Sequence, residues 1–153
     1  MKNNIIINII IIFSMFIVFS FTACSESPGD VLTDIKKEND NGNYDNLNKY
    51  YTRDTVELLD ELDKLSGKNR IRKPKEDKKF ARGTEWDIIK ERTDGDRADV
   101  TIKYTSHPVE NMKGLELGFK FRKEGGLWKL DMADELRMTL GILKKNKTMG
   151  IPR

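Results

Sequence analysis

The chain has 153 residues, enough for one domain with an ordinary core. Its 28 Lys and Arg nearly balance 25 Asp and Glu, a formal charge of +3, so net charge gives no reason to expect a nucleic-acid partner. A single cysteine excludes an intramolecular disulfide, which leaves packing to hold the fold together.

The first stretch has one lysine, Lys2, and then an apolar run of 17 residues from Ile5 to Phe21, broken by Asn8, Ser14 and Ser20. That length is at the short end of what spans a bilayer. Phe21 is bulky for ordinary secretory cleavage, which prefers an A-x-A-like pattern. Small Thr22 and Ala23 directly ahead of the lone Cys24 resemble the lipobox of bacterial lipoproteins, with Phe21 where leucine is usual. The favoured reading is a signal peptide over residues 1–23 and a lipid on Cys24. An uncleaved membrane anchor and simple secretion are the alternatives. The resemblance implies a diacylglyceryl thioether (palmitate-like chains), often with a third, amide-linked chain. Each buried methylene contributes about 0.8 kcal/mol, so two or more chains anchor stably. The expected address is the extracytoplasmic side of a cell-envelope membrane. Ser25 in place of aspartate favours the outer membrane where the cell has one.

Residues 24–29 form a polar tether. Asp30 then reads as an N-cap for a helix bearing Val31, Leu32 and Ile35, stopped by Asn39-Asp40-Asn41-Gly42. A second short helix is expected from Tyr44, with Leu47, Tyr50 and Tyr51 on one side. A third carries Asp54 as cap, Glu57 as its capping-box partner and an apolar stripe of Val56, Leu59 and Leu62, closed by Ser66-Gly67. Eight basic residues follow: Lys68, Arg70, Arg72, Lys73, Lys75, Lys78, Lys79 and Arg82, offset only by Glu76 and Asp77. The plain reading is a solvated loop. The sharper one is contact with anionic headgroups or an acidic cell-wall polymer, at about 1 kcal/mol per basic residue. Phe80 is the one aromatic among them, so there is no interleaved series to stack on bases, and nucleic acid is not expected.

From Thr84 the period changes to two. Trp86 and Ile88 mark one strand, and Asp94-Gly95 is a hairpin signal. Ala98, Val100, Ile102 and Tyr104 alternate with Asp99, Thr101 and Lys103. Leu115, Leu117, Phe119 and Phe121 alternate with Glu116, Lys120 and Arg122, and Trp128, Leu130 and Met132 with Lys129 and Asp131. The expected fold is α+β: three N-terminal helices on the apolar face of a four-stranded antiparallel meander, over residues 30–132. The opposite face is charged, so sheet-on-sheet dimerisation would bury unpaired ions, and a monomer is expected. Residues 133–153 read as a helical, basic tail with Leu136, Leu140 and Leu143 on one side, packed on a sheet edge and fraying from Lys144.

Helices followed by a curved meander resemble the cone-shaped nuclear transport factor 2-like (cystatin-like) superfamily, and within it the lipoprotein-attached domains of unknown function. Three places carry the likeness: Gly42-Asn43-Tyr44-Asp45 between the first helices, Asp94-Gly95-Asp96-Arg97-Ala98-Asp99-Val100 at the first hairpin, and Glu124-Gly125-Gly126-Leu127-Trp128-Lys129-Leu130 near the end. The superfamily includes isomerase- and dehydratase-like enzymes with acids or histidines inside the cone, and their pattern is not found here. His107, the only histidine, sits in a loop before Pro108, and Asp99, Glu116 and Asp131 alternate onto the wet face. No metal cluster or Cys/His nucleophile is expected, and no cofactor. The role expected is non-enzymatic binding or envelope maintenance, with a small-ligand carrier as the first alternative and an isomerase- or dehydratase-like enzyme, which a buried Asp or Glu facing a cavity would support, as the second. In the carrier case Trp86, Tyr104, Phe119 and Trp128 would line a cavity; the plainer expectation is that they fill it.

Overall fold

The computed structural model describes residues 26–66 and 83–148. The chain is α+β. Helix α1 (Pro28–Asn41), a 3₁₀ segment (Tyr44–Tyr50) and helix α2 (Arg53–Ser66) precede four strands. These are β1 (Glu85–Asp94), β2 (Arg97–Ser106), β3 (Glu116–Glu124) and β4 (Leu127–Leu130), and helix α3 (Ala133–Thr148) ends the described chain. The strands form one open antiparallel sheet in the order β1-β2-β3-β4.

Alternation sets the two faces. Val100 lies opposite Phe119 and Ile102 opposite Leu117, so one face gathers Ala98, Val100, Ile102, Phe121, Trp128 and Leu130, all buried. Burying a side chain of the size of Val100, Ile102 or Phe121 contributes about 1.5–3 kcal/mol. Asp99, Lys103, Glu116 and Lys120 stand exposed on the other face. Gly95 turns the first hairpin with φ +58, a conformation that a side chain would disfavour. Leu115 falls just before β3 and is exposed, and Met132 lies beyond the four-residue β4. The expected period-two runs therefore overshoot the paired strands by one residue or two.

Helix α1 begins at Pro28, inside the stretch expected to be tether. Its N-cap is Ser27, not Asp30. The Asp30 N–H donates to Ser27 Oγ at 3.1 Å, and the Ser27 N–H donates to Asp30 Oδ2 at 3.0 Å. Asp30 is thus the returning half of a capping box. Pro28 just inside the helix has no N–H to satisfy, which suits that place. Gly42 closes the helix in the left-handed region at φ 74. Val31, Leu32 and Ile35 press onto the sheet.

Among the described residues, α1 and the 3₁₀ segment cover the apolar face, and α2 does not. Its Leu59 and Leu62 pack against Leu136 and Leu140 of α3 in a second cluster. The cause is local. The Thr52 N–H donates to Leu130 O at 3.0 Å, and Tyr51 bridges Leu130 in parallel, so the chain enters α2 already pinned along the free edge of β4. The helix then runs past the sheet, where α3 offers a leucine stripe of matching spacing. For the same reason α3 pairs with a helix and not with a sheet edge. It does not fray at Lys144: it continues to Thr148, and Lys144 Nζ lies 2.7 Å from Glu61. Likewise α2 is capped by Thr52, whose Oγ1 accepts from the Thr55 N–H at 3.3 Å, where Asp54 was expected. Among the described residues no helix is long and apolar enough to cross a membrane.

Candidate functional site

The apolar face is not filled from end to end. At the end away from the two hairpin turns, an open cleft of about 380 Å³ lies between the sheet and the second half of α1. Its floor holds Trp86 and Tyr104, directly opposite each other on β1 and β2, and Phe119 on β3. Leu32 and Ile35 form the roof, and Tyr44, Tyr51 and Met132 close one side.

The length of β4 produces this space. Its last pair with β3 is Leu130 with Phe121, so Phe119 and Leu117 have no β4 neighbour. The sheet narrows from four strands to three, and the half-buried aromatics at that end border open volume.

Three of the four aromatics expected to line a cavity do so. Trp128 does not. It is buried in the main core at the turn end of the sheet, opposite Lys123, whose Nζ stands 4.7 Å over its ring. Period-two alternation puts Trp128 on the same face as Trp86, yet it says nothing about where along that face the gap falls. Trp86, Tyr104 and Phe119 pack against the main core and also border the open cleft.

Sequence reasoning missed the mouth. Lys36, Asn39, Asp40 and Thr84 line it. Lys36 Nζ lies 2.6 Å from Asp40 Oδ2 and 3.8 Å from Glu85 Oε2. A signal for this was available: Leu32, Ile35, Lys36, Asn39 and Asp40 follow one helical stripe that turns from apolar to polar along α1. The Tyr51 phenol is pushed above its ordinary value of 10.0 by burial, so it stays protonated at neutral pH.

His107 is a loop element. Its Nδ1 accepts from the Val109 N–H at 3.0 Å, and its ring meets Tyr104 edge-on with centroids 5.2 Å apart. Asp99 and Glu116 are exposed on the outer face as expected. Asp131 joins a surface ion-pair group in which Arg122 reaches Asp54, Glu124 and Asp131 at 3.5–3.7 Å. Beside it a polar hollow of about 390 Å³ alternates acids with Arg97, Lys120 and Arg137, and no charge of either sign prevails. Among the described residues no group of three or more His, Cys, Asp or Glu is arranged to hold a metal. Cys24 lies outside the described residues, as do Lys68, Arg70, Arg72, Lys73, Lys75, Lys78, Lys79 and Arg82.

No curated protein and no solved structure matches the chain. Residues 22–131 match the domain of unknown function DUF4878, a span that ends just before α3 and covers well over half the sequence, and the protein therefore belongs to that family.

Proposed function

We propose that this protein is a non-enzymatic binding domain for a small ligand, held on the extracytoplasmic side of a membrane by lipid on Cys24. The observation that carries the binding reading is the cleft walled by Trp86, Tyr104 and Phe119. Its volume falls in the range of small-molecule sites, and a few polar groups converge at an otherwise apolar hollow, as such sites require. Binding is favoured over catalysis because the charged groups at the mouth are already paired with one another, while the inner walls are aromatic and aliphatic. The layout of α1 on a four-stranded antiparallel sheet with an underfilled end supports a nuclear transport factor 2-like cone as the finer description of the fold. The lipid anchor rests on Thr22-Ala23-Cys24 behind the apolar run. It needs no more than a short link, because α1 starts at Pro28.

Two measurements test this. Mass spectrometry of the mature N-terminus should find Cys24 as the first residue carrying acyl chains, and Cys24→Ala should abolish the acyl mass. An unmodified Cys24 with residues 1–23 still attached would overturn the anchor. Titration with neutral two-ring aromatics should perturb Trp86, and absence of any binding would overturn the cleft as a ligand site.

A further inference from the structure

The polar groups lining the cleft differ in how far they are already engaged. At the mouth, Lys36 and Asp40 hold each other at 2.6 Å. On the side wall, Tyr51 is different: among the described residues no hydrogen bond reaches its hydroxyl. Its ring packs against both apolar clusters, and burial raises the phenol pKa, so the hydroxyl is enclosed and protonated at neutral pH. The oxygen is not sealed, however. It keeps access to open space, and the open space that Tyr51 borders is the cleft. Tyr44 on the same wall and Tyr104 on the floor also carry hydroxyls without a hydrogen bond among the described residues. Leu32, Ile35, Phe119 and Leu130, which share the lining, have no side-chain acceptor to offer them. Water can satisfy such a hydroxyl while the cleft is open. A ligand that fills the cleft takes that water away, and a phenol left dry without an acceptor opposes binding.

We infer that the cleft selects a flat aromatic ligand bearing an uncharged hydrogen-bond acceptor, a carbonyl oxygen or a ring nitrogen, that receives the Tyr51 hydroxyl while its rings lie on Trp86 and Phe119. This rests on the cleft being a binding site and names the class of ligand that fits it. The aromatic floor supplies contact area, and the phenol supplies the discrimination. A wholly apolar ligand of the same shape would strip the hydroxyl and return nothing to it. A carboxylate would gain a stronger hydrogen bond from Tyr51, yet one phenol replaces only a part of the hydration that the charge gives up on entering an apolar hollow.

The test uses the full chain in nanodiscs of zwitterionic lipid and two probes of one shape, methyl naphthyl ketone and isopropenylnaphthalene, which differ in C=O against C=CH₂. Calorimetry and Trp fluorescence follow their binding to the wild type and to Tyr51→Phe in matched discs, so partition into lipid cancels between the two proteins. Tyr51→Phe keeps the ring and its packing and removes the hydroxyl. It should weaken the ketone about 2–10-fold, the span of a neutral hydrogen bond, and leave the alkene bound as before or more tightly. Undiminished alkene binding also reports that the cleft of the variant is intact. A change of the same size and direction for both probes, or for neither, would overturn the acceptor requirement and leave the cleft as a site. A ketone-specific loss in Tyr44→Phe with none in Tyr51→Phe would overturn the assignment to Tyr51. Failure of both probes to bind the wild type would overturn the acceptor requirement and the cleft together.

Discussion

Two threonines and a tyrosine tie the halves of the molecule together. Thr52 and Thr55 are fully buried, and their hydroxyls meet at 2.8 Å. The Met132 N–H donates to Thr55 Oγ1 at 2.9 Å, and Thr52 Oγ1 donates to Asp131 Oδ1 at a longer 3.4 Å. Thr55→Val keeps the shape and leaves the half-buried Met132 N–H without its acceptor, a loss of about 1 kcal/mol. Urea unfolding should show that loss, and Thr55→Ser should restore most of it. A neutral Thr55→Val would mean the chain of hydroxyls contributes nothing. Tyr51, just ahead of this pair, makes a pH prediction whose sign is fixed by its raised phenol pKa. Below pH 10.0, folded and unfolded chains both hold the proton. Above it the unfolded chain releases the proton while the buried phenol keeps it, so stability falls as pH climbs from 10.0 through the folded-state value. Melting temperatures measured from pH 9 to 11 should therefore drop more steeply for the wild type than for Tyr51→Phe.

At the scale of elements, strands were more legible than helix partners. Alternation over Ala98 to Tyr104 and Leu117 to Phe121 names the buried face whatever the tertiary context, because a strand has only two faces. A leucine stripe such as Leu59 and Leu62 says that a helix face is apolar but not what it meets. That choice is made by Tyr51 and Thr52 hydrogen-bonding along β4, a contact between residues far apart in sequence. The same blindness hid the cleft. Its position depends on β4 ending at Leu130, which no local pattern announces, since Met132 continues the alternation. The pairing of α2 with α3 is itself testable. Leu140→Ala removes a buried side chain from the smaller cluster and should cost about 2–5 kcal/mol. Hydrogen exchange should then rise in α2 and α3 before it rises in β2 and β3. Uniform loss of protection throughout would show that the two clusters open only together.

At the scale of the molecule, the described residues form two apolar clusters of unequal size that share Tyr51 and Met132, with the cleft on the larger one beside those shared residues. An open, aromatic-walled hollow forgoes contacts that a filled interior would have, so the site is held at the expense of packing. Natural binding sites commonly carry such a cost, and filling them tends to stabilise the fold while removing function. Asn39 is the residue to change: it lines the mouth from a half-buried helical position, and leucine there extends the Leu32–Ile35 stripe with better helix propensity. Asn39→Leu should raise stability by about 0.5–2 kcal/mol in urea unfolding and weaken binding of every two-ring probe at least tenfold. A variant that gains no stability but still loses binding would mean that Asn39 contacts the ligand directly. One that gains stability and binds as before would mean that the ligand seats deeper, on Trp86 and Phe119 alone.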